Sequence, residues 1–188
     1  MKLCFVTVGA TASFEKLVQE VLHDPFLAEL KKYKFTHLIV QYGKNGQSIF
    51  DKFTSEHLPG TNSLLGMDVA GFDFKPDLTT YFQMAQKNPS KSQELGLIIS
   101  HAGTGSILAA LRAGLPLIVV PNPDLADNHQ EELALELANY GYAVKGSLEN
   151  IPSTVSLAEI RREQAPYYLD TDERNLGAPL SDQLSYLD

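Results

Sequence analysis

Short apolar runs alternate along this chain with longer stretches of mixed polarity, and that alternation predicts most of its elements. "KLCFVTV" (2–8) is the first run and ends in "GATAS", a buried strand with a small-residue exit loop. From there Phe14, Leu17, Val18, Val21 and Leu22 recur at helical spacing. "HLIVQY" (37–42) is a second strand, and "MDVAGF" (67–72) a third, followed by a helix carrying Leu78, Tyr81, Phe82 and Ala85. Residues 43–66 are polar and rich in turn formers, so they read as a long loop with room for one short helix. Beyond the solvated connection "KNPSKSQE" (87–94) come the strand "LGLII", the helix "GSILAALRAG" and the strand "LPLIVVP". "NHQEELALELANYG" is a helix with Leu133, Ala134, Leu137 and Ala138 on one face and Gly141 as its stop, and "YAV" supplies a last short strand.

Mostly apolar strands of five to seven residues alternating with helices imply a parallel sheet covered on both faces. The fold class is α/β, a Rossmann-like doubly wound sheet over residues 1–148. Residues 149–188 change character: one short helix near Ser156–Arg162, then a tail in which Tyr167, Tyr168, Leu169, Leu176, Leu180, Leu184, Tyr186 and Leu187 stand among acids. That segment either wraps the domain or docks on a partner.

At 188 residues the chain is long enough to bury one substantial core. Its formal charge of −8 argues against a broad nucleic-acid-binding face. The one cysteine, Cys4, lies within the first apolar run and reads as a buried structural thiol. Neither a signal peptide nor an apolar run of the ~20 residues needed to cross a bilayer is visible. The expectation is a soluble chain, or one held on a membrane by something else.

Ligands of doubly wound sheets sit beyond the C-terminal ends of the strands, where residues 9–13, 43–47, 100–106 and 121–130 all fall. "SHAGTGS" (100–106) is the richest of these segments. Gly103 and Gly105 permit close backbone approach to a ligand, Ser106 can cap the next helix or donate to a phosphate, and the helix N-terminus favours an anion. A plain tight turn with Ser or Thr as cap is the competing reading. The familiar nucleotide signatures are missing, because Leu108 stands where a dinucleotide fingerprint needs glycine and no P-loop occurs. His101 can touch a phosphate or sugar, or hydrogen-bond the backbone as a structural histidine. Lys44, in "GKNG", reads as surface. Asp124, Asp127 and His129 match no strong metal signature, and Asp127 is accounted for as a helix cap. Asn128, His129 and Gln130 are left free to hydrogen-bond ribose or base.

The ordered set "FVTVGAT", "QYGKNG", "GFDF", "SHAGTGSILAAL", "GLPLIVVPN" and "DNHQEELA" resembles the small catalytic subunits of two-part N-acetylglucosaminyltransferases, from about Leu3 to Gly146. Those enzymes add the second GlcNAc to dolichol-diphosphate-linked GlcNAc in N-glycan precursor assembly. The C-terminal part is also similar to the donor domain of bacterial enzymes that transfer GlcNAc to an undecaprenyl-diphosphate-linked acceptor. The resemblance implies half of a GT-B glycosyltransferase. It implies UDP-GlcNAc as donor, a lipid-diphosphate-GlcNAc acceptor, no cofactor and no metal. It also implies a heterodimer with a membrane-anchored acceptor-domain subunit on the cytosolic face of the endoplasmic reticulum.

By position, Gly103, Thr104, Gly105 and Ser106 would line the diphosphate and sugar, with Gly9, Ala10 and Thr11 closing the other side. Asn128, His129 and Gln130 would address the GlcNAc hydroxyls and ribose, and His101 is the candidate catalytic residue. The reaction would be an inverting displacement forming a β1,4 bond, with the base supplied by this chain or its partner. Relatives often carry an acidic residue three positions after the loop serine, and here that position is Ala109. Gln130 and backbone groups then hold the ribose, or hold it less tightly. Two alternatives stand: a bacterial-type polysaccharide glycosyltransferase subunit using a different sugar, and a non-catalytic UDP-sugar-binding regulatory module.

Overall fold

The computed structural model describes residues 1–10, 13–57, 63–125 and 128–164. Among these, seven strands make one sheet: β1 (Leu3–Thr7), β2 (His37–Gln41), β3 (Ser63–Leu64), β4 (Met67–Phe72), β5 (Leu97–His101), β6 (Leu117–Val120) and β7 (Val144–Lys145). Their spatial order is β3-β4-β2-β1-β5-β6-β7. Every neighbouring pair is parallel except β3 with β4, which form an antiparallel edge hairpin. The six parallel strands therefore have the doubly wound order expected from the sequence, with the direction of winding reversing between β1 and β5.

Side-chain alternation divides the core into two layers. Cys4, Val6, Leu97, Ile99, Ile118 and Val120 point to one face of the sheet, and Leu3, Phe5, Ile98, Leu117 and Val119 to the other. The first face is covered by α1 (Glu15–Val21), α2 (Asp24–Lys32), α3 (Gly43–His57) and α7 (Ile151–Gln164), the second by α4 (Thr79–Ala85), α5 (Thr104–Arg112) and α6 (His129–Asn139). Because both faces are covered, the central strands are mostly apolar, which is why they were legible as apolar runs.

The segment expected to be mainly loop departs most from the sequence reading. α3 occupies Gly43–His57, a 15-residue helix. Its inward stripe is Gly46, Ile49, Phe50 and Phe53, at i, i+3, i+4 and i+7, and the Phe50 ring stacks on Tyr42. Turn formers at Gly43, Asn45 and Ser48 mask that period, but burial of the two phenylalanines outweighs their low helix propensity. α2 is a helix the pattern did not predict. It starts at an Asp-Pro step and buries Phe26, Leu27 and Leu30.

α7 is twice the length expected and belongs to the core through Ile151, Val155 and Ala158. Its far end is held by a buried ionic group. Lys2 Nζ lies 2.6 Å from Glu159 Oε2, with the two side chains only 9% and 7% exposed, and Arg162 Nη2 lies 2.7 Å from Glu159 Oε1. Lys2 also donates to the Tyr33 carbonyl, and Arg162 donates to the carbonyls of Leu95 and Gly96 just ahead of β5. Burial lowers the Lys2 pKa, and the hydrogen bond and charge of Glu159 oppose that shift. Residues 165–188, which include the tail with its tyrosines and leucines, lie outside the described residues.

Replacing Glu159 with Ala leaves two buried cations without their shared counter-ion. The expected cost is about 3–5 kcal/mol of unfolding free energy, measured by urea denaturation at neutral pH. A loss below about 1 kcal/mol, the range of an exposed pair, would show that the group does not hold α7.

Candidate functional site

The loops that leave β1, β5 and β6 meet at the C-terminal edge of the sheet, around the point where the winding reverses. The β1 exit is pinned by a polar residue at each of two strand ends. Thr7 and Gln41 are fully buried, and their side chains hydrogen-bond each other. The Gly9 N–H donates to Thr7 Oγ1 at 3.2 Å, and Gln41 Nε2 donates to the Gly9 carbonyl at 3.3 Å. Gly9 has φ +78°, a conformation that disfavours any side chain. Ala10 follows it, exposed, while Thr11 lies outside the described residues. Beside this turn a cleft of about 270 Å³ is lined by Gly9, Ala10, Ser13, Tyr42 and Gly43–Asn45, so Lys44 faces the same edge.

At the β5 exit the chain turns sharply. The His101 carbonyl accepts from the Gly103 N–H at 2.7 Å and from Ser100 Oγ at 2.6 Å. Gly103 is the N-cap of α5, and no side chain caps that helix end. Ser106 thus stands in the first turn instead of at the cap.

The two loop glycines have different reasons for being glycine. A Cβ on Gly103 would overlap the His101 ring, and so would one on Gly9. At Gly105 a Cβ would meet no atom within 4 Å, and the residue is exposed in regular helix. Gly103 is therefore required by the protein's own packing. Nothing inside the protein requires Gly105, although glycine in a helix costs about 1 kcal/mol relative to alanine.

His101 itself lies largely buried between the two loops. Burial lowers its pKa, and a hydrogen bond with the Thr7 backbone opposes that shift. Its Nδ1 has no hydrogen-bond partner among the described residues.

The β6 exit is tied to both neighbours by Asn122, which is 6% exposed. Asn122 Nδ2 donates to the Ser13 carbonyl at 3.0 Å, its Oδ1 accepts from the Asp124 N–H at 3.1 Å, and its N–H donates to Gln130 Oε1 at 2.9 Å. Gln130 therefore already spends one amide atom on the scaffold. Asn128 caps α6 by position but makes no side-chain cap bond, and it is exposed, as is His129, whose Nδ1 lies 3.8 Å from Glu132. A cleft of about 450 Å³ beside them is lined in part by Asn122, Asn128, Gln130 and Lys145. Asp124 pairs with Lys16 at 2.7 Å, and Asp127 lies outside the described residues.

The structure thus brings Gly9, His101 and Gly103 into contact and links Ser13, Asn122 and Gln130 in one hydrogen-bonded chain. Asn128 and His129 stand at the rim. Sequence reasoning missed Thr7, Gln41 and Asn122. The available signal was a polar residue inside or directly after an apolar run, where burial demands a partner.

The profile of the glycosyltransferase family 28 C-terminal domain matches residues 3–163. The UDP-N-acetylglucosamine transferase subunit ALG13 of Saccharomyces cerevisiae is 39% identical over 161 residues, covering 75% of each chain. The protein of the same name from Eremothecium gossypii is 34% identical over 179 residues, covering 86% of this chain and 83% of that one. An NMR solution structure of ALG13 superposes with a TM-score of 0.59 at 32% identity, over 88% of this chain and 87% of the other. MurG of Acinetobacter baumannii has the same fold in part of its length, with a TM-score of 0.61 at 19% identity over 89% of this chain and 43% of that one. With the profile spanning nearly the whole described domain and relatives this similar over most of their own length, the chain belongs to glycosyltransferase family 28, as its C-terminal domain.

Proposed function

We propose that this chain is the donor-binding half of a two-part N-acetylglucosaminyltransferase. It holds UDP-GlcNAc at the C-terminal edge of its sheet. A membrane-anchored partner supplies the acceptor domain, and the pair transfers GlcNAc to GlcNAc-diphosphate-dolichol with inversion, forming a β1,4 bond on the cytosolic face of the endoplasmic reticulum. Membership of a glycosyltransferase family and the name carried by the yeast relatives, a UDP-N-acetylglucosamine transferase subunit, support this reading. No helix among the described residues is long and apolar enough to cross a membrane, so in this proposal the anchor is the partner's.

The observation that carries the donor assignment is Gly105, an exposed helical glycine with open space where a side chain would be. A ligand lying against that first turn explains it. The UDP leaving group gains negative charge as the bond to the anomeric carbon breaks. Free backbone N–H groups and the positive end of the α5 dipole stabilise that charge without reorganising. The hydroxyls of Thr104 and Ser106 add donors, with Gly9 and Ala10 opposite. Asn128 and His129 address the sugar and ribose hydroxyls, and Gln130 offers the amide nitrogen that Asn122 leaves unused. Ala109 supplies no carboxylate for the ribose, so that contact falls to Gln130 and the backbone. The His101 ring is packed between Gly9 and Gly103, so in this proposal it carries no proton transfer and the base lies in the partner half. Residues beyond Gln164 are the segment we assign to partner docking.

Gly105→Val tests the donor site. Valine is no worse than glycine in a helix, so Tm should stay within about 4 °C. UDP-GlcNAc affinity measured by calorimetry should fall at least about tenfold, or about 1.4 kcal/mol. Unchanged affinity in the folded variant would refute the site. The two-part reading predicts that the purified chain alone transfers no radiolabelled GlcNAc to a GlcNAc-diphosphate lipid and that membranes bearing the acceptor subunit restore transfer. Elongation by the chain alone would refute it. Truncation from Gln164 should reduce recovery with those membranes more than it lowers Tm, and unchanged recovery would move docking to the folded domain.

A further inference from the structure

We propose that the His101 ring is a spacer: it fixes the separation of the two loops between which the donor lies, and so positions the diphosphate without touching it. This rests on the donor-binding reading above and adds a residue that acts through its neighbours.

Three observations carry the inference. The ring is flanked by two glycines from different strands, Gly9 after β1 and Gly103 after β5, and a methyl group on either would overlap it. Two glycines facing one ring from opposite loops make its thickness the distance between those loops.

The two loops that flank the ring are themselves held in place. The His101 carbonyl takes hydrogen bonds from Gly103 N–H and Ser100 Oγ, which fix the turn that carries Gly103. On the other side Thr7 and Gln41 grip the N–H and the carbonyl of Gly9, so this backbone cannot retreat from the ring.

Finally, hydrogen bonding uses only part of the ring: the Thr7 backbone bonds it, but Nδ1 is buried with no partner among the described residues. What the contacts with Gly9 and Gly103 use is the flat shape of the imidazole. The neutral form suits that slot, since burial opposes a charge there. β1 and β5 are adjacent strands at the point where the sheet's winding reverses, so what holds their exit loops apart sets the width of the crevice.

The test is a size swap read by two measurements, Tm and the Kd for UDP-GlcNAc. Gly103→Ala should lower Tm through overlap with the ring, and His101→Ala should lower it through the void left behind. In the double variant the added methyl occupies space the ring has vacated, so its Tm should exceed that of Gly103→Ala. Its Kd should nonetheless stay at least tenfold weaker than that of the unsubstituted chain, because a methyl group cannot hold the loops a ring's width apart. His101→Phe, which keeps a flat ring and removes both nitrogens, should bind within threefold of the unsubstituted chain and stays available if the alanine variants do not fold. A double variant that regains both Tm and affinity would reduce the ring to a filler, and one that regains neither would refute the shared contact. Tenfold weaker binding by folded His101→Phe would assign His101 to hydrogen bonding instead. Absent UDP-GlcNAc binding by the unsubstituted chain would overturn the donor reading, and the spacer with it.

Discussion

The adjacency of β1 and β5 is the constraint on which the rest of this molecule depends. α1, which follows β1, and α5, which follows β5, cover opposite faces, so the two exit loops diverge and leave a crevice that no main-chain connection crosses. β1 is apolar from Leu3 to Val6 because strands flank it on both sides and helices cover both faces, and all five of its residues, the polar Thr7 included, are buried. That burial fixes the register, and the register brings Thr7 level with Gln41 and Ser100 at the strand ends. That polar pair is satisfied by its mutual bond and by the loop, and it holds Gly9 as a result.

The site is a scaffold with few directly functional atoms. Much of its polar chemistry is spent on geometry: Thr7 and Gln41 on Gly9, Ser100 on the His101 carbonyl, Asn122 on Ser13 and Gln130. What remains open to a ligand is a helix end without a side-chain cap, two hydroxyls in its first turn, and the exposed Asn128 and His129. That division suits the proposed donor, whose charge lies in its diphosphate, because fixed backbone dipoles answer such charge.

The central strands were readable in the sequence because strands covered on both faces leave little polar alternation to confuse the pattern. The glycine loop was readable as a place, since glycines and hydroxyls after an apolar run at a helix start are local facts. The separate reasons for Gly103 and Gly105 were not, because a ring two residues away dictates one of them and empty space the other. Asn122 was hidden because its partner Ser13 is 109 residues distant, and Thr7 because Gln41 is 34 residues away. α3 was missed for a related cause. Its apolar stripe was present, but its turn-forming residues could be discounted only once the sheet supplied a surface for Phe50 and Phe53.

α7 carries one more consequence. It starts after β7 at the edge where the loops gather and ends beside Lys2, Leu95 and Gly96, at the opposite edge of the sheet. Its 14 residues put about 20 Å between the two ends. Whatever grips the chain beyond Gln164 would pull on a foot bolted through Glu159, with the rigid sheet between it and the crevice. Under the docking proposed for that segment, load would pass into the strand beginnings and leave the loop spacing alone, which would insulate recruitment from sugar transfer within a single small domain.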